Sequence, residues 1–89
     1  MEHFLDITAD VCPMTFVRTR LLIERMASGD TATIVLRGAE PIENVPASVT
    51  ELGHLVVAMR PLRDDPARGS LAPDKTVRDG DMVLRIAKT

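Results

Sequence analysis

The residue best suited to chemistry in this 89-residue chain is its only cysteine, Cys12. It stands immediately before Pro13, in the stretch Val11-Cys12-Pro13-Met14-Thr15. Proline is favoured at the first position of a helix, because its missing N–H has no partner there and its fixed φ is already helical. We therefore predict that a helix begins at Pro13 and that Cys12 is its N-cap.

A cysteine at a helix N-cap has an environment that favours its ionised form. The free N–H groups of the first turn and the positive end of the helix dipole both stabilise a thiolate, and the pKa of such cysteines falls from about 8.5 to between roughly 3.5 and 7.5. The positive charge of Arg18, about one turn further along the chain, is expected to add to this stabilisation. On this interpretation Cys12 is a nucleophile at neutral pH. The competing interpretation is that Cys12 is a small buried hydrophobic residue that precedes a helix, which is common for free cysteines.

Length and composition limit the protein class. Residues 1–89 suffice for a single domain with one modest core, and two phenylalanines are the only aromatic residues. A lone cysteine excludes an internal disulfide, and the N-terminus has no basic segment followed by an apolar run, so we expect a cytoplasmic protein with no membrane span. The net charge of −2 provides no general attraction to nucleic acid.

Hydrophobic periodicity predicts the element order β-α-β-α-β-β. The predicted strands cover 4–8, 31–37, 55–60 and 82–87, and the predicted helices cover 13–26 and about 46–52. Two right-handed βαβ crossovers place both helices on the same face of a sheet. We therefore predict a two-layer α/β sandwich in which two helices cover one face of a mixed four-stranded sheet.

Three features of this outline are specific enough to test. Pro46 is expected to interrupt the second helical region, so that a short turn at 41–44 precedes the helix proper. The nearly continuous apolar run 55–60 predicts an interior strand, and the two threonines of 31–37 predict that one sheet face meets water. The charged stretch 61–81, rich in proline, is predicted to be a mobile loop or a hairpin.

The first helix carries more apolar residues than one buried face needs. The face predicted to pack on the sheet consists of Phe16, Thr19, Leu22, Ile23 and Met26. A second apolar strip, Met14, Val17 and Leu21, lies beside Arg18 and Arg25. It is either the edge of the core or a partner-docking surface next to the cysteine. Arg18 lies early in the helix, where the dipole disfavours a cation, so it needs a compensating partner or another use.

A Cys-Pro pair that opens the first helix of a βαβαββ domain of this size resembles the TusA/SirA family of small sulfur-transfer proteins. The resemblance covers almost the whole chain, and its further segments are Leu5-Asp6, Gly29-Asp30, Glu40-Pro41-Ile42, Val45-Pro46 and Leu52-Gly53-His54. The family motif is Cys-Pro-x-Pro, whereas this chain has Thr15 in place of the second proline. The helix start should survive this replacement. The properties that the replacement is expected to affect are the rigidity of the cysteine loop and recognition by partners that read the full motif.

The resemblance implies a sulfur carrier of the sulfurtransferase type. Cys12 would accept sulfane sulfur from a donor protein, a cysteine desulfurase or a rhodanese-like protein, and pass it as a persulfide to an acceptor protein. A carrier must lack a second nearby thiol, because that thiol would discharge the persulfide as a disulfide. Cys12 is the only cysteine, so the residues are compatible with this role. We expect no cofactor, no metal and a monomer. The donor and the acceptor stay open. The pathway also stays open, and the candidates are tRNA thiolation, molybdenum-cofactor synthesis, sulfur oxidation and selenium handling.

Other functions are compatible with fewer of these features. His3 and His54 are interpreted as a solvated terminal residue and a residue that opens a strand, and together with Cys12 they lack the spacing of metal ligands. A regulatory adaptor that binds a partner through the first helix, without needing the thiol, is the alternative. A nucleic-acid binder ranks third, because the predicted open sheet face offers few rings for stacking bases.

Overall fold

The structure is a computed structural model that describes residues 1–11 and 13–89, and within these residues two helices pack on one face of a four-stranded sheet. The elements are β1 (Glu2–Asp6), α1 (Met14–Arg25), β2 (Thr31–Leu36), α2 (Ala39–Glu51), β3 (Leu55–Pro61) and β4 (Met82–Ala87). The predicted α/β class and two-layer arrangement are confirmed.

The order of the strands in the sheet is β1-β2-β4-β3. β1 and β2 are parallel, and β4 is antiparallel to both β2 and β3. β1, β2 and β3 therefore run in one direction, and their carboxyl ends lie at the same edge, where β4 begins with Met82 opposite Leu36. We call this side of the molecule the carboxyl edge.

The main core lies between the helices and the inner face of the sheet. Its buried members are Ile7, Leu22, Ile23, Met26, Ala32, Ile34, Leu36, Val45, Val49, Leu84 and Ile86. Complete burial of an aliphatic side chain stabilises a fold by about 1.5–3 kcal/mol, so this aliphatic cluster can hold the two layers together without aromatic residues.

The prediction that β3 is an interior strand is wrong. β4 returns antiparallel and inserts between β2 and β3, which leaves β3 at the edge of the sheet. Leu55 and Val57 are 58% and 60% exposed. A β-bulge lies between Val56 and Ala58. The apolar run did not predict the position of β3 in the sheet. On one side of an edge strand there is no neighbouring strand to bury its side chains, so these apolar residues stay exposed.

The segment 61–81 connects a hairpin, one of its two predicted forms, because β3 and β4 pair antiparallel up to Pro61 and Met82. The sequence did not predict that the connecting segment folds onto the outer face of the sheet. This segment begins with two short 3₁₀ helices, Leu62–Asp64 and Pro66–Ser70. A second buried cluster consists of Val35, Leu62, Ala67 and Val83, with Leu71 and Val77 packed against it. The outer face that was expected to meet water is therefore covered at one end.

Asp65 fixes this segment to the sheet. Its carboxylate accepts two hydrogen bonds from the Arg85 guanidinium on β4, each 2.7 Å long, and a third from the backbone N–H of Ala67 at 2.9 Å. The hydrogen bonds from Arg85, and then that from Ala67, lower the pKa of Asp65 to about 2 although its burial acts in the opposite direction. The pair carries opposite charges at neutral pH and joins the segment to β4.

Both helices differ from prediction at a proline. α1 begins at Met14 rather than Pro13, which precedes the helix with φ −91° and ψ 3°. α2 is continuous through Pro46. Its buried Val45 and Val49 lie on one face, four residues apart, and packing of that face offsets the one hydrogen bond that a proline removes.

The amino-terminal strand lies two residues earlier than predicted, and His3 is not simply solvated. Its Nε2 is 3.0 Å from a carboxylate oxygen of Asp30, which also accepts the backbone N–H of Ala27 at 3.0 Å. These two hydrogen bonds, with that from His3 the stronger cause, hold the pKa of Asp30 well below its usual range.

Candidate functional site

The loop that joins β1 to α1 is shaped by short-range hydrogen bonds at the carboxyl edge. The Asp6 carboxylate accepts the backbone N–H of Thr8 at 2.9 Å and its hydroxyl at 2.7 Å. The Asp10 N–H then donates to the Ile7 carbonyl at 3.2 Å. These bonds turn the chain sharply after β1 and leave Val11 74% exposed.

The start of α1 is organised by the carbonyl of Val11. This oxygen accepts the N–H of Met14 at 2.8 Å and, less closely, that of Thr15 at 3.4 Å. The Pro13 carbonyl accepts the N–H of Val17 at 3.0 Å. The residues on both sides of Cys12 are thus fixed by the first turn. Because α1 begins at Met14, its N-cap is Pro13, one position later than the predicted Cys12. Cys12 itself lies outside the described residues, so its thiolate character and catalytic role stay predictions.

An ion pair connects this loop to α1. The Arg18 guanidinium donates to the Asp10 carboxylate, and the side chains are 41% and 23% exposed. Arg18 was expected to need a compensating partner, and Asp10 is that partner. The positive charge that Arg18 was predicted to offer the thiol is consequently offset by a carboxylate.

A second arginine is held at the end of β2. Arg37 makes a two-pronged contact with Asp81, through Nε at 2.8 Å and Nη2 at 2.9 Å, and also donates to the Thr76 carbonyl at 3.0 Å. Burial raises the pKa of Asp81, but the hydrogen bonds from Arg37 and from the Arg78 N–H more than compensate, so that the pKa is lowered overall. The segment that follows β3 therefore supplies the acid that orients Arg37.

A shallow depression of about 380 Å³ lies where the first loop approaches α2, and this volume is within the range of small ligand pockets. Gly38 allows the backbone to turn there, because its φ of +99° is one that other residues rarely adopt. The depression is lined by Asp10, Val11, Arg37, Gly38, Ala39, Glu40 and Pro41.

The apolar strip of α1 is exposed. Met14, Val17 and Leu21 are 47%, 37% and 53% exposed, and Arg25 in the last turn is exposed as well. The strip is therefore open to solvent, which is compatible with both the edge of the core and a docking surface. Its use as a docking surface stays a prediction. We call Met14, Val17 and Leu21 the α1 strip.

Thr15, the residue that replaces the second proline of the family motif, is buried with 2% exposure. Its carbonyl accepts the hydroxyl of Thr19 at 2.8 Å. Because its own N–H makes only the 3.4 Å contact with Val11, the hydrogen bond that a proline would remove here is a weak one.

The two histidines lie at the opposite end of the sheet from Val11 and Pro13. His3 is near the start of β1, and His54, which precedes β3, accepts the N–H of Thr89 at Nδ1, 3.3 Å away. Over residues 1–11 and 13–89 no group of three metal-ligating side chains is present. The same residues contain no helix with the length and apolar character needed to cross a membrane.

Sequence reasoning missed the charged partners at the carboxyl edge. Asp10 and Arg18 are eight residues apart, and no helical or strand spacing connects them. Arg37 and Asp81 become neighbours only through the pairing of Leu36 with Met82. The one usable signal was that Arg18 stands where a helix disfavours a cation, which calls for a nearby acid.

Comparison with known proteins gives two results. Residues 3–67 match the protein-family model described as sulfurtransferase TusA. A protein of Archaeoglobus fulgidus named "Putative sulfur carrier protein" is 38% identical over 58 residues, which is 65% of this chain and 66% of that protein, just under two thirds of its length.

Proposed function

Because this chain belongs to the TusA sulfurtransferase family, we propose that it is a sulfur carrier that holds sulfane sulfur as a persulfide on Cys12. The observation that carries the proposal is that the family match includes the Cys12-Pro13 pair. This pair stands in sequence between a loop shaped by Asp6 and Asp10 and the exposed first turns of α1. The printed name of the A. fulgidus relative agrees with this role.

Loading and discharge are both transfers of one sulfur atom without net oxidation. The Cys12 thiolate attacks the outer sulfur of a donor persulfide, the S–S bond of the donor breaks, and the donor leaves as a thiolate. A new S–S bond then joins the sulfane sulfur to Cys12. In discharge, an acceptor thiolate attacks that outer sulfur, and Cys12 leaves as a thiolate. Neither step requires a cofactor.

Two features of this chain suit a carrier rather than a hydrolase or an oxidoreductase. The sequence holds no second cysteine that could discharge the persulfide as an internal disulfide. His3 and His54 lie at the other end of the sheet from Val11, so the chemistry of a cysteine–histidine pair has little support.

Partner proteins are proposed to dock on the α1 strip. A persulfide can pass between proteins only when the two sulfur atoms come into bonding contact, so the surface around the cysteine must belong to each interface. Exposed apolar residues with Arg18 and Arg25 beside them suit a transient contact with an acidic donor, such as a cysteine desulfurase or a rhodanese-like protein.

Intact-mass measurement after incubation with a persulfide donor tests the carrier function. We expect a gain of one sulfur atom that reductant reverses and that Cys12→Ser abolishes. An Asp79→Asn variant is the matched control, because Asp79 is 92% exposed and forms its ion pair with Arg63 in another part of the molecule. Failure of the wild-type protein to gain sulfur from any competent donor would refute the proposal.

The exposure of the α1 strip also favours a second candidate, a regulatory adaptor that needs no thiol. The two functions differ in their response to Cys12→Ser. An adaptor would keep its function and its partner affinity in that variant, whereas a carrier would keep partner affinity but lose sulfur transfer. Titration calorimetry and a transfer assay on the same variant distinguish them.

A further inference from the structure

Asp6, the last residue of β1, has partners for both oxygens of its carboxylate. Oδ1 accepts the N–H of Thr8 at 2.9 Å and the Thr8 hydroxyl at 2.7 Å. Oδ2 is 3.8 Å from Nζ of Lys75, and the side chain of Asp6 is only 17% exposed. Asp6 therefore joins the chain that follows β1 to the segment 61–81 on the outer sheet face.

The hydrogen bonds of Asp6 fix the start of the loop that leads to Cys12. Thr8, four residues before the cysteine, is held through both its backbone and its side chain. At the other end of this loop, the Val11 carbonyl is fixed by its hydrogen bonds to the first turn of α1. The loop is therefore supported at both ends, and Asp6 provides the support on the side of the sheet.

The segment that follows β3 places positive charge near Asp6. Lys75 is followed in this segment by Thr76, whose carbonyl accepts a hydrogen bond from Arg37, and Asp81 holds the same guanidinium. The hydrogen bonds to Asp81, with a smaller contribution from the charge of Asp6, raise the pKa of Arg37. Two cations thus lie near the Asp6 carboxylate, one supplied and the other oriented by this segment.

We propose that Asp6 is a positioning residue for Cys12 in sulfur transfer and that Lys75 holds Asp6 in that role. The inference rests on the proposed carrier function. The reacting sulfur atoms must be closely aligned, and a misplacement of about 1 Å can slow a reaction about a hundredfold. Asp6 acts on this alignment through the backbone of the loop. Docking is assigned to the α1 strip, so loss of Asp6 should slow transfer within the docked complex without weakening the complex.

Sulfur transfer from a persulfide donor that loads the wild-type chain, a cysteine desulfurase or a rhodanese-like protein, tests the role of Asp6. For Asp6→Ala we expect the rate at saturating donor to fall at least about tenfold, while the half-saturating donor concentration changes less than about twofold. Asp6→Asn should lose only about threefold, because its amide oxygen accepts both hydrogen bonds from Thr8 and only the ion pair with Lys75 is lost. Asp74→Ala, which removes an exposed acid next to Lys75, is the control and should leave the rate unchanged.

Lys75→Ala tests the support from the covering segment, and it also serves if Asp6→Ala fails to fold. The Lys75 side chain is 34% exposed, so the fold should tolerate its removal. We expect a loss of about threefold in the saturating rate. Because Lys75 acts through the charge of Asp6, adding Lys75→Ala to Asp6→Asn should cause no further loss.

Three results would overturn the proposal. They are an Asp6→Ala variant whose saturating rate is unchanged or whose whole loss is a higher half-saturating donor concentration, an Asp6→Asn variant as slow as Asp6→Ala, and independent losses from Lys75→Ala and Asp6→Asn. If no donor loads sulfur onto wild-type Cys12, the carrier function fails and this inference fails with it. That outcome is distinguishable, because it appears in the wild-type chain before any variant is compared.

Discussion

At the scale of single residues, the ion pair of Asp10 with Arg18 bears on the reactivity of Cys12. Sequence reasoning assigned two sources of thiolate stabilisation, the N-terminus of the helix and the Arg18 charge. Because the structure pairs Arg18 with a carboxylate, and the Val11 carbonyl accepts the N–H groups of Met14 and, less closely, Thr15, the predicted stabilisation would come mainly from the helix dipole.

We predict that the pKa of Cys12 lies below the ordinary value of about 8.5 and that Asp10→Asn lowers it further. The substitution removes a nearby negative charge and releases Arg18, and both changes favour a thiolate. The rate of iodoacetamide alkylation against pH measures the pKa. Asp79→Asn, an exposed acid paired with Arg63, is the control and should leave the pKa unchanged. A wild-type midpoint at or above about 8.5 would contradict the predicted helix-terminal environment.

Thr15→Pro restores the family motif and is predicted to change the melting midpoint only slightly. The hydrogen bond lost is the 3.4 Å contact to Val11, and proline is tolerated in the first turn of a helix. Thr19→Pro, in the helix interior, is the comparison and should cost about 3 kcal/mol or more. Equal destabilisation by the two substitutions would show that α1 begins earlier than Met14.

At the scale of elements, the α1 strip and its flanking arginines are predicted to set the rate of sulfur transfer. Arg25→Glu should slow transfer from an acidic donor most strongly at low salt, where electrostatic steering is least screened, and Arg18→Glu combined with it should slow transfer further. Arg63→Glu, a charge reversal outside α1, is the control. Alkylation of Cys12 by a small reagent should change little for Arg25→Glu. Equal transfer rates for Arg25→Glu and wild type across a salt series would exclude this docking surface.

The segment that follows β3 should respond to acid through Asp65. Its pKa of about 2 in the folded protein lies below the unfolded value of about 3.9, so its stabilising effect is complete above about pH 4 and is lost as pH falls towards 2. The melting midpoint of Asp65→Asn should therefore lie well below that of wild type at pH 7 and approach it between pH 4 and 2. A difference that is constant over that range would contradict the assigned role of the Asp65–Arg85 pair.

Elements with a regular local pattern could be predicted from the sequence, whereas the elements that lie beside them in the fold could not. β4 was predicted at its observed limits because its alternation is clear. The edge position of β3 was not predicted, because an apolar run indicates that a segment is a strand but does not indicate which strands lie beside it. The predicted interruption of the second helix at Pro46 was wrong, because the burial of Val45 and Val49, a tertiary effect, outweighs the local tendency of proline to break a helix.

At the scale of the whole molecule, the fold extends beyond the part of the chain that matches the family model. The family match ends at residue 67, whereas the segment that covers the outer sheet face continues to β4. Asp81 in that segment holds Arg37 at the carboxyl edge. The segment that covers the outer sheet face therefore reaches the side of the molecule where the loop before α1 lies. This connection depends on long-range pairing, which the sequence alone did not reveal.

The most direct test of the carrier proposal is a two-stage transfer with radiolabelled sulfur. The protein is loaded from a labelled donor persulfide, separated from the donor, and mixed with an acceptor protein that bears a free thiol. We predict that one labelled sulfur per chain resides on Cys12, moves to the acceptor, and is absent from Cys12→Ser. Label that never reaches Cys12, or that reaches the acceptor equally well through Cys12→Ser, would contradict the proposed function.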